Sequence, residues 1–277
     1  MKRPLKDGLK GEELNVLSGC RPFKDDKISE KVKINILNML YEKYGIVEAH
    51  FLSAELAMVP AFKARDIGFD RSMVGAYGHD DRVCAYTSLM ATLEIKNPPY
   101  TTVTVFTDKE ETGSDGNTGL DSYYLKYFVA DLAAQQGVDA RTVLSESTCL
   151  SADVNAAFDP TFGDTMEKRN SAYLNYGVVV TQYTGAGGKY GTSQASAEFM
   201  AKVRNILDQE RISWQTGELG KVDGGGGGTV AKYVAKLNVD VVDVGVPMLS
   251  MHAPFEVVAK NDVYSAYCAF KAYMQAE

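Results

Sequence analysis

Apolar residues recur every three to four positions in five stretches of the chain, and short β-branched runs lie between them. The clearest helical stretch is residues 27–44, where Val32, Ile36 and Leu40 share one face and Gly45 ends the pattern. The same spacing predicts further helices over residues 82–95, 120–136, 193–209 and 261–274. Runs of β-branched and aromatic residues predict strands over residues 101–105, 142–146, 176–183, 211–215 and 239–245.

Strands and helices alternate from residue 75 to residue 277. This alternation is typical of an α/β protein, and it predicts a three-layer sandwich with a largely parallel mixed sheet. Residues 1–74 carry one helix and a few short extended pieces, so we predict a smaller appended unit there. A chain of 277 residues, 45% of them hydrophobic, is long enough to bury the core of one large domain and an appendage.

The charge balance argues against two classes of partner. The chain has 29 basic and 36 acidic residues, whereas nucleic acids and anionic membranes attract clustered Lys and Arg. No run approaches the ~20 apolar residues of a membrane span, and no apolar run of a signal peptide follows the basic start MKRPLKDGLK. The four cysteines are too widely spaced for a disulfide framework or a zinc knuckle. We therefore predict a cytoplasmic protein that binds neither nucleic acid nor membrane.

A dense group of carboxylates follows the predicted strand at residues 101–105. The loop DKEETGSDGNTG places Glu110 and Glu111 side by side on an irregular backbone. Ligands bind beyond the carboxyl ends of strands in open α/β sheets, so one carboxylate could face a metal ion and the other a water molecule. The structural alternative is a solvated acidic turn, and the local sequence leaves both open.

Three further candidate ligands lie on other loops. They are Asp80 before a predicted helix, Asp153 after a predicted strand, and His252 between an apolar strand and a proline. Carboxylate oxygens and imidazole nitrogens suit zinc, manganese or cobalt, and two such ions bridged by a carboxylate can activate water. Each residue also has an alternative: Asp80 could cap its helix, Asp153 could form an Asx turn, and His252 could be a half-buried histidine.

The glycine-rich turns indicate a possible anion site but not a P-loop. A P-loop requires an earlier glycine and a following Ser or Thr, where the Gly188-Lys189 pair has Tyr183 and Tyr190. The run of glycines 224–228 precedes a predicted short helix, whose free amides could bind an anion. A close-packed turn explains the same glycines, so an anion- or nucleotide-binding protein stays a weaker hypothesis.

Six blocks taken together resemble one enzyme family, the aspartyl aminopeptidases. They occur in the family's order and span almost the whole chain: YGHDDRVCAY, DKEETGSDGNTG, SADVNAAFDP, the turn at residues 184–192, VDGGGGGTVAK and SMHAPFEV. The resemblance implies a dinuclear zinc aminopeptidase, with manganese or cobalt as alternatives to zinc, that acts on peptides with an acidic N-terminal residue. It also implies a homo-oligomer built from dimers, with residues 1–74 as part of a dimerisation domain and residues 75–277 as the catalytic domain.

The resemblance implies a role for each candidate residue. Asp80 bridges two ions, Glu111 and His252 complete one of them, and Asp153 serves the other. Glu110 is the general base. The implied substrate-binding residues are Gln182, Lys189, Gly225 and Gly226.

Two departures from the family pattern change the expectation. Nothing in the sequence corresponds to the family's first metal-binding histidine, which precedes the dimerisation insert, so the chain is predicted to be an N-terminally truncated member. Gln182 stands where a substrate-binding lysine is expected, which weakens charge-based recognition. The alternative function is therefore a catalytically impaired member that acts as an assembly subunit.

Overall fold

The computed structural model describes residues 8, 10–25, 27, 29–185, 187, 191, 193–221 and 223–277. It divides the chain into two compact units, Met1–Val59 and Pro60–Glu277. The first unit contains helix α1, Lys31–Tyr44, which ends at Gly45 in the left-handed conformation, as predicted from the sequence. Among the described residues of this unit no side chain is fully buried, and the ion pair between Lys33 and Glu48 lies on its surface.

The second unit contains two β-sheets and six α-helices among its described residues. The strands are β1 Arg65–Ile67, β2 Met73–Ala76, β3 Thr148–Ser151, β4 Asn155–Ala156, β5 Val178–Thr181, β6 Trp214–Thr216, β7 Asp240–Gly245, β8 Pro247–Leu249 and β9 Glu256–Ala259. The helices are α2 His79–Glu94, α3 Tyr124–Gln135, α4 Ala140–Glu146, α5 Ala197–Gln209, α6 Ala231–Ala235 and α7 Lys260–Gln275.

Both sheets are mixed. The five-stranded sheet has the order β1-β2-β9-β8-β4, and only its β4–β8 pair is parallel. The four-stranded sheet has the order β3-β7-β5-β6, in which β7 and β5 are antiparallel and the other pairs are parallel. The predicted α/β class is therefore confirmed, and parallel pairing is confined to three of the seven strand pairs.

Buried hydrophobic residues lie on both faces of strand β7. Val242 and Val244 pack with residues of α2, α5 and α7, including Phe199 and Phe270. Val241 belongs instead to a second cluster formed with α4 and α6. Because successive strand residues point to opposite faces, this alternation places helices on both sides of the sheet, as the predicted sandwich requires.

Two predicted strands differ from the structure. Residues 101–107 belong to neither sheet, because among the described residues no neighbouring strand pairs with them. The strand predicted over residues 142–146 is wrong, since these residues lie in α4. Asp139 caps that helix by accepting a hydrogen bond from the Arg141 backbone N–H at 2.8 Å, and this local cap outweighs the β propensity of Thr142 and Val143.

The predicted domain boundary and the division into compact units lie at different places. The sequence suggests a boundary near residue 74, whereas the compact units meet at Val59 and Pro60. The difference is the β1–β2 hairpin, which pairs with β9 in the five-stranded sheet. A dimerisation role for the N-terminal residues stays a prediction. Among the described residues, no helix is long and apolar enough to cross a lipid bilayer.

Candidate metal centre

Asp80 lies at the start of α2, where the backbone is not helical. Gly78 adopts a left-handed conformation, and the Asp80–Asp81 peptide is cis. The Asp80 backbone N–H donates to Glu256 Oε2 on β9 at 3.2 Å. Asp80 is thus held by the neighbouring sheet, and its side chain does not cap α2, since no side-chain cap bond is present at this helix end.

Glu110 and Glu111 lie in a 3-10 helix, Glu110–Thr112, inside a loop that is closed by its own hydrogen bonds. The Asp108 backbone N–H donates to Thr118 O at 3.2 Å, and Ser114 N–H donates to Lys109 O at 2.7 Å. From α6, the Tyr233 hydroxyl donates to Gly113 O at 2.9 Å. These bonds fix the loop from within and from one side, so the two glutamates have a defined position.

Asp153 follows β3 and lies against β7. A Cβ atom at Gly245 would be only 1.6 Å from the carbonyl oxygen of Asp153, so only glycine allows this approach. Asp153 Oδ1 accepts a hydrogen bond from the Val154 backbone N–H at 2.8 Å. This bond to the next residue orients the side chain but is not an Asx turn, which would require the N–H two residues on, and Asp153 also lies near the other candidate ligands.

His252 lies on a tight turn between β8 and β9. Both Ser250 and His252 have positive φ, and Ala253 N–H donates to Ser250 O at 2.9 Å. The His252 backbone N–H donates to Glu256 Oε1 at 2.9 Å, while the other oxygen of that carboxylate accepts from Asp80. The buried Glu256 carboxylate thus joins the backbones of two candidate ligands.

The candidate ligands meet in two overlapping groups. His252 Nε2 lies 3.0 Å from Asp80 Oδ2 and 3.3 Å from Glu111 Oε1. These three residues form one group, and Asp80, Asp81 and Asp153 form the other, with ligand atoms within 4.8 Å of one another in each. Asp80 belongs to both, which is the position that the sequence resemblance gave to a bridging carboxylate.

The environment of the centre disfavours the ionised form of its carboxylates, so their pKa values are raised. Burial, together with the nearby Glu111 charge, raises the pKa of Asp80 to about 7. Burial raises the pKa of Asp81 to about 8, although Cys84 partly offsets this by hydrogen bonding. Burial also raises the pKa of Asp153 well above its usual range, and that of Glu110 less strongly. Several acids that burial and mutual repulsion destabilise as anions form an environment that a cation would stabilise.

The residues present fit a divalent ion such as zinc. One group offers two carboxylates and an imidazole nitrogen, which are common zinc donors, and the other offers three carboxylates. In the second group Asp81 Oδ1 is buried without a hydrogen-bond partner. A buried carboxylate oxygen needs a partner, and a bound cation is one that this site could supply.

The predicted substrate residues lie on two neighbouring loops. Gln182 directly follows β5, and its carbonyl oxygen accepts from Ala195 N–H at 2.8 Å. Gly225 O accepts from Gly187 N–H at 3.0 Å, and Gly226 has positive φ. These contacts join the turn after β5 to the glycine run. Lys189 lies outside the described residues.

Two residues of the centre were not predicted from the sequence. Asp81 joins the second ligand group, and Glu256 holds the two ligand backbones. The signal for Glu256 was a single acid in the apolar run of FEVVA, which predicts a specific buried partner. Asp81 gave a weaker signal, because two consecutive acids at a helix start are common.

Carboxylates and a histidine that converge from four loops of an α/β sandwich are typical of metal-dependent hydrolases. Within it, a model of the family described as Aminopeptidase I zinc metalloprotease (M18) matches residues 10–274. The chain belongs to this M18 family. The resemblance noted in the sequence is thereby confirmed.

Individual relatives agree with the family match. The Probable M18 family aminopeptidase 1 of Clostridium acetobutylicum is 50% identical over 270 residues, or 96% of this chain and 58% of that protein. Its namesake from Thermotoga maritima is 45% identical over 276 residues, or 98% of this chain and 61% of that protein. A crystal structure of the M18 aminopeptidase from Thermotoga maritima superposes with a TM-score of 0.94 at 42% identity, covering 99% of this chain and 62% of that one. This chain therefore spans about three fifths of the relatives that it matches.

Proposed function

We propose that this chain provides the catalytic centre of a metal-dependent aminopeptidase. The observation that supports this most directly is the position of His252 Nε2, which lies 3.0 Å from Asp80 Oδ2 and 3.3 Å from Glu111 Oε1. It occurs in a chain whose family consists of zinc metalloproteases. Asp80, Glu111 and His252 would hold one divalent ion, and Asp80 with Asp153 would hold a second.

The proposed chemistry assigns the proton transfers to Glu110. A bound divalent ion would polarise the scissile carbonyl and lower the pKa of the attacking water. The Glu110 carboxylate takes the proton from that water and passes it to the leaving amine. Burial and the neighbouring Glu111 raise the pKa of Glu110, which brings this base closer to neutral pH than a solvated glutamate.

The proposed base is tested by replacing Glu110 with Gln. This change keeps the shape of the side chain and removes proton transfer, so we expect a loss of kcat of about 100-fold or more with unchanged zinc content. Hydrolysis of aminoacyl anilides and elemental analysis provide the two measurements. Glu146→Gln, at an exposed position in α4, is the control and should leave both unchanged. Full activity of Glu110→Gln would show that the assignment of the base is wrong.

We further propose that the enzyme favours acidic N-terminal residues. The resemblance supports this preference, and Lys232 of α6 supports it physically, because its charge partly offsets the rise in the pKa of Glu110 that burial and Glu111 cause. A lysine near the base can attract the side chain of an N-terminal Asp or Glu. Gln182 adds no charge to this recognition.

The preference is tested on a panel of Asp, Glu, Ala and Leu substrates. Lys232→Gln should lower kcat/KM for Asp and Glu substrates by about tenfold and change the Ala substrate little, since only the acidic side chains lose a charge partner. Lys236→Gln, one turn later, is the matched control, because Lys236 pairs with Asp121 instead. Equal losses on all four substrates would contradict a role in specificity.

A second candidate function is an assembly subunit with impaired catalysis. It is supported by the second ligand group, which contains carboxylates but no histidine among the described residues. It predicts stable homo-oligomers in light scattering and no hydrolysis with zinc, manganese or cobalt. Oligomerisation through dimers and a cytoplasmic location stay predictions under either function.

A further inference from the structure

Helix α6 contacts the outside of residues 108–121, which we name the glutamate loop. The Tyr233 hydroxyl donates to Gly113 O at 2.9 Å, across 120 positions of the chain. Lys236 Nζ lies 3.4 Å from Asp121 Oδ1, but both groups of this ion pair are exposed, and such pairs contribute little in water. The hydrogen bond from Tyr233 is therefore the contact by which α6 can hold this loop.

This hydrogen bond is made at the end of the turn that carries the two glutamates. Glu110 and Glu111 lie in the 3-10 helix Glu110–Thr112, and Gly113 directly follows it. The Gly113 N–H donates to Glu110 O at 3.0 Å, and its carbonyl accepts from Tyr233. The residue that closes the turn is thus bonded on one side to the turn itself and on the other side to α6. Because the backbone of a turn determines where its side chains point, a bond at Gly113 also orients the glutamates.

Tyr233 is itself held in place by α6 and its neighbours. Ala231 and Val234 are buried in the second core cluster, where they pack with residues of β7 and α4. Lys232 Nζ and Lys236 Nζ lie 4.8 and 5.0 Å from the centre of the Tyr233 ring, distances at which a cation attracts an aromatic face. A helix anchored in the core therefore presents the hydroxyl to the loop from a defined position.

The size of this bond separates a positioning role from a general structural one. Gly113 is exposed, so water can replace the hydroxyl, and the stability lost without it is small. By contrast, a misplacement of about 1 Å at a reacting group can lower a rate about 100-fold. Losing an outer partner of a metal ligand lowers metal affinity or activity by about 10- to 100-fold. A large functional effect with a small effect on stability therefore distinguishes positioning.

We propose that Tyr233 is a positioning residue that holds, through Gly113 O, the turn of Glu110 and Glu111 in the place that brings both to the metal centre. The inference rests on the proposed function, in which Glu110 is the base and Glu111 a ligand. Glu111 Oε1 lies 3.3 Å from His252 Nε2, so a displaced turn would separate two ligands of the same ion. Tyr233 acts only through this turn.

The test compares Tyr233→Phe with the wild type. Zinc binding in calorimetric titration should weaken by about tenfold, because Glu111 loses its fixed position. At saturating zinc, kcat should fall by about tenfold and KM should change by less than about twofold, because Glu110 acts in the chemical step. Amide exchange of Gly113 should become faster by about threefold or more. The Tm should fall by less than about 4 °C, since only one exposed hydrogen bond is lost.

Tyr173→Phe is the matched control. The Tyr173 hydroxyl also donates to a backbone carbonyl, Lys168 O at 3.3 Å, in a bond that does not involve the glutamate loop. This variant loses the same kind of hydrogen bond, so its zinc affinity, its kcat and its Gly113 exchange should equal those of the wild type.

Three results would overturn the inference. The first is a Tyr233→Phe variant with the zinc affinity and kcat of the wild type. The second is an equal loss in Tyr233→Phe and Tyr173→Phe. The third is a fall in the Tm of Tyr233→Phe that exceeds about 4 °C, which would show that Tyr233 supports the fold in general. A wild-type chain that binds zinc but hydrolyses no substrate would contradict the proposed function alone, and zinc affinity and Gly113 exchange would then decide the role of Tyr233.

Discussion

Single buried residues determine where the proposed ligands lie. Glu256 accepts hydrogen bonds from the backbones of Asp80 and His252, so one carboxylate aligns the start of α2 with the turn before β9. Gly245 allows the backbone of Asp153 to lie against β7. Neither residue needs to touch an ion to affect its binding, because each fixes the backbone that carries a ligand.

Replacing Gly245 with Ala should displace Asp153. The added Cβ would lie 1.6 Å from Asp153 O and 3.2 Å from Cys84 Sγ, so the backbone must move. We expect a loss of about 2–3 kcal/mol in the free energy of unfolding and about tenfold weaker zinc binding. Calorimetric titration and urea unfolding measure the two effects. Gly224→Ala, where a Cβ meets open space, is the control, and equal behaviour of the two variants would refute the argument.

The residue types of the proposed ligands could be predicted from the sequence, but the residue that positions two of them could not. Asp80, Glu111, Asp153 and His252 lie on loops beside predicted elements, and local sequence suffices to place them there. Glu256 acts on residues that are 176 and 4 positions away in the chain, and its role depends on the pairing of β9 with β2 and β8. The contact over 176 positions and the pairing of the strands leave no periodic signal in the sequence.

Among the elements, α7 and β5 are tied together by one aspartate at the start of the helix. Asp262 is fully buried, and its two oxygens accept from the backbone N–H groups of Asn175 and Gly177 at 2.6 and 2.7 Å. These residues form a bend that directly precedes β5. Asp262 thus lies in the first turn of α7 and also holds the bend that precedes the buried strand β5.

Removing the side chain in Asp262→Ala should destabilise the fold. Two buried backbone donors lose their acceptors, so we expect the free energy of unfolding to fall by about 2–4 kcal/mol. Urea unfolding at neutral pH measures this change. Asn261→Ala, an exposed neighbour on the same helix, should change it by less than about 0.5 kcal/mol. A loss below 1 kcal/mol at Asp262 would mean that water replaces the carboxylate at this bend.

Long helices were predicted more reliably than strands. The stretches that became α1, α3, α5 and α7 show several turns of apolar spacing, and the structure has helices there. The segment over 142–146 is short enough for a helix cap to decide its conformation. The segment over 101–105 has strand sequence, yet a strand also requires a partner, which propensity alone does not supply.

At the scale of the whole molecule, the chain combines an α/β core with one segment of strand sequence, residues 101–107, that belongs to neither sheet. The core on both sides of β7 is formed by residues of this chain alone. The candidate metal ligands are carried by four separate loops around this core, and all of them belong to this chain.

The most direct test of the account is the zinc content per chain, measured by elemental analysis after reconstitution and removal of free metal. Because Asp80 belongs to both ligand groups, the wild-type chain should retain zinc and Asp80→Asn should lose most of it. Asp121→Asn, at an exposed acid outside both groups, should bind as the wild type does. A wild-type chain that retains no zinc, or an Asp80→Asn variant that retains as much as the wild type, would contradict the proposed metal centre.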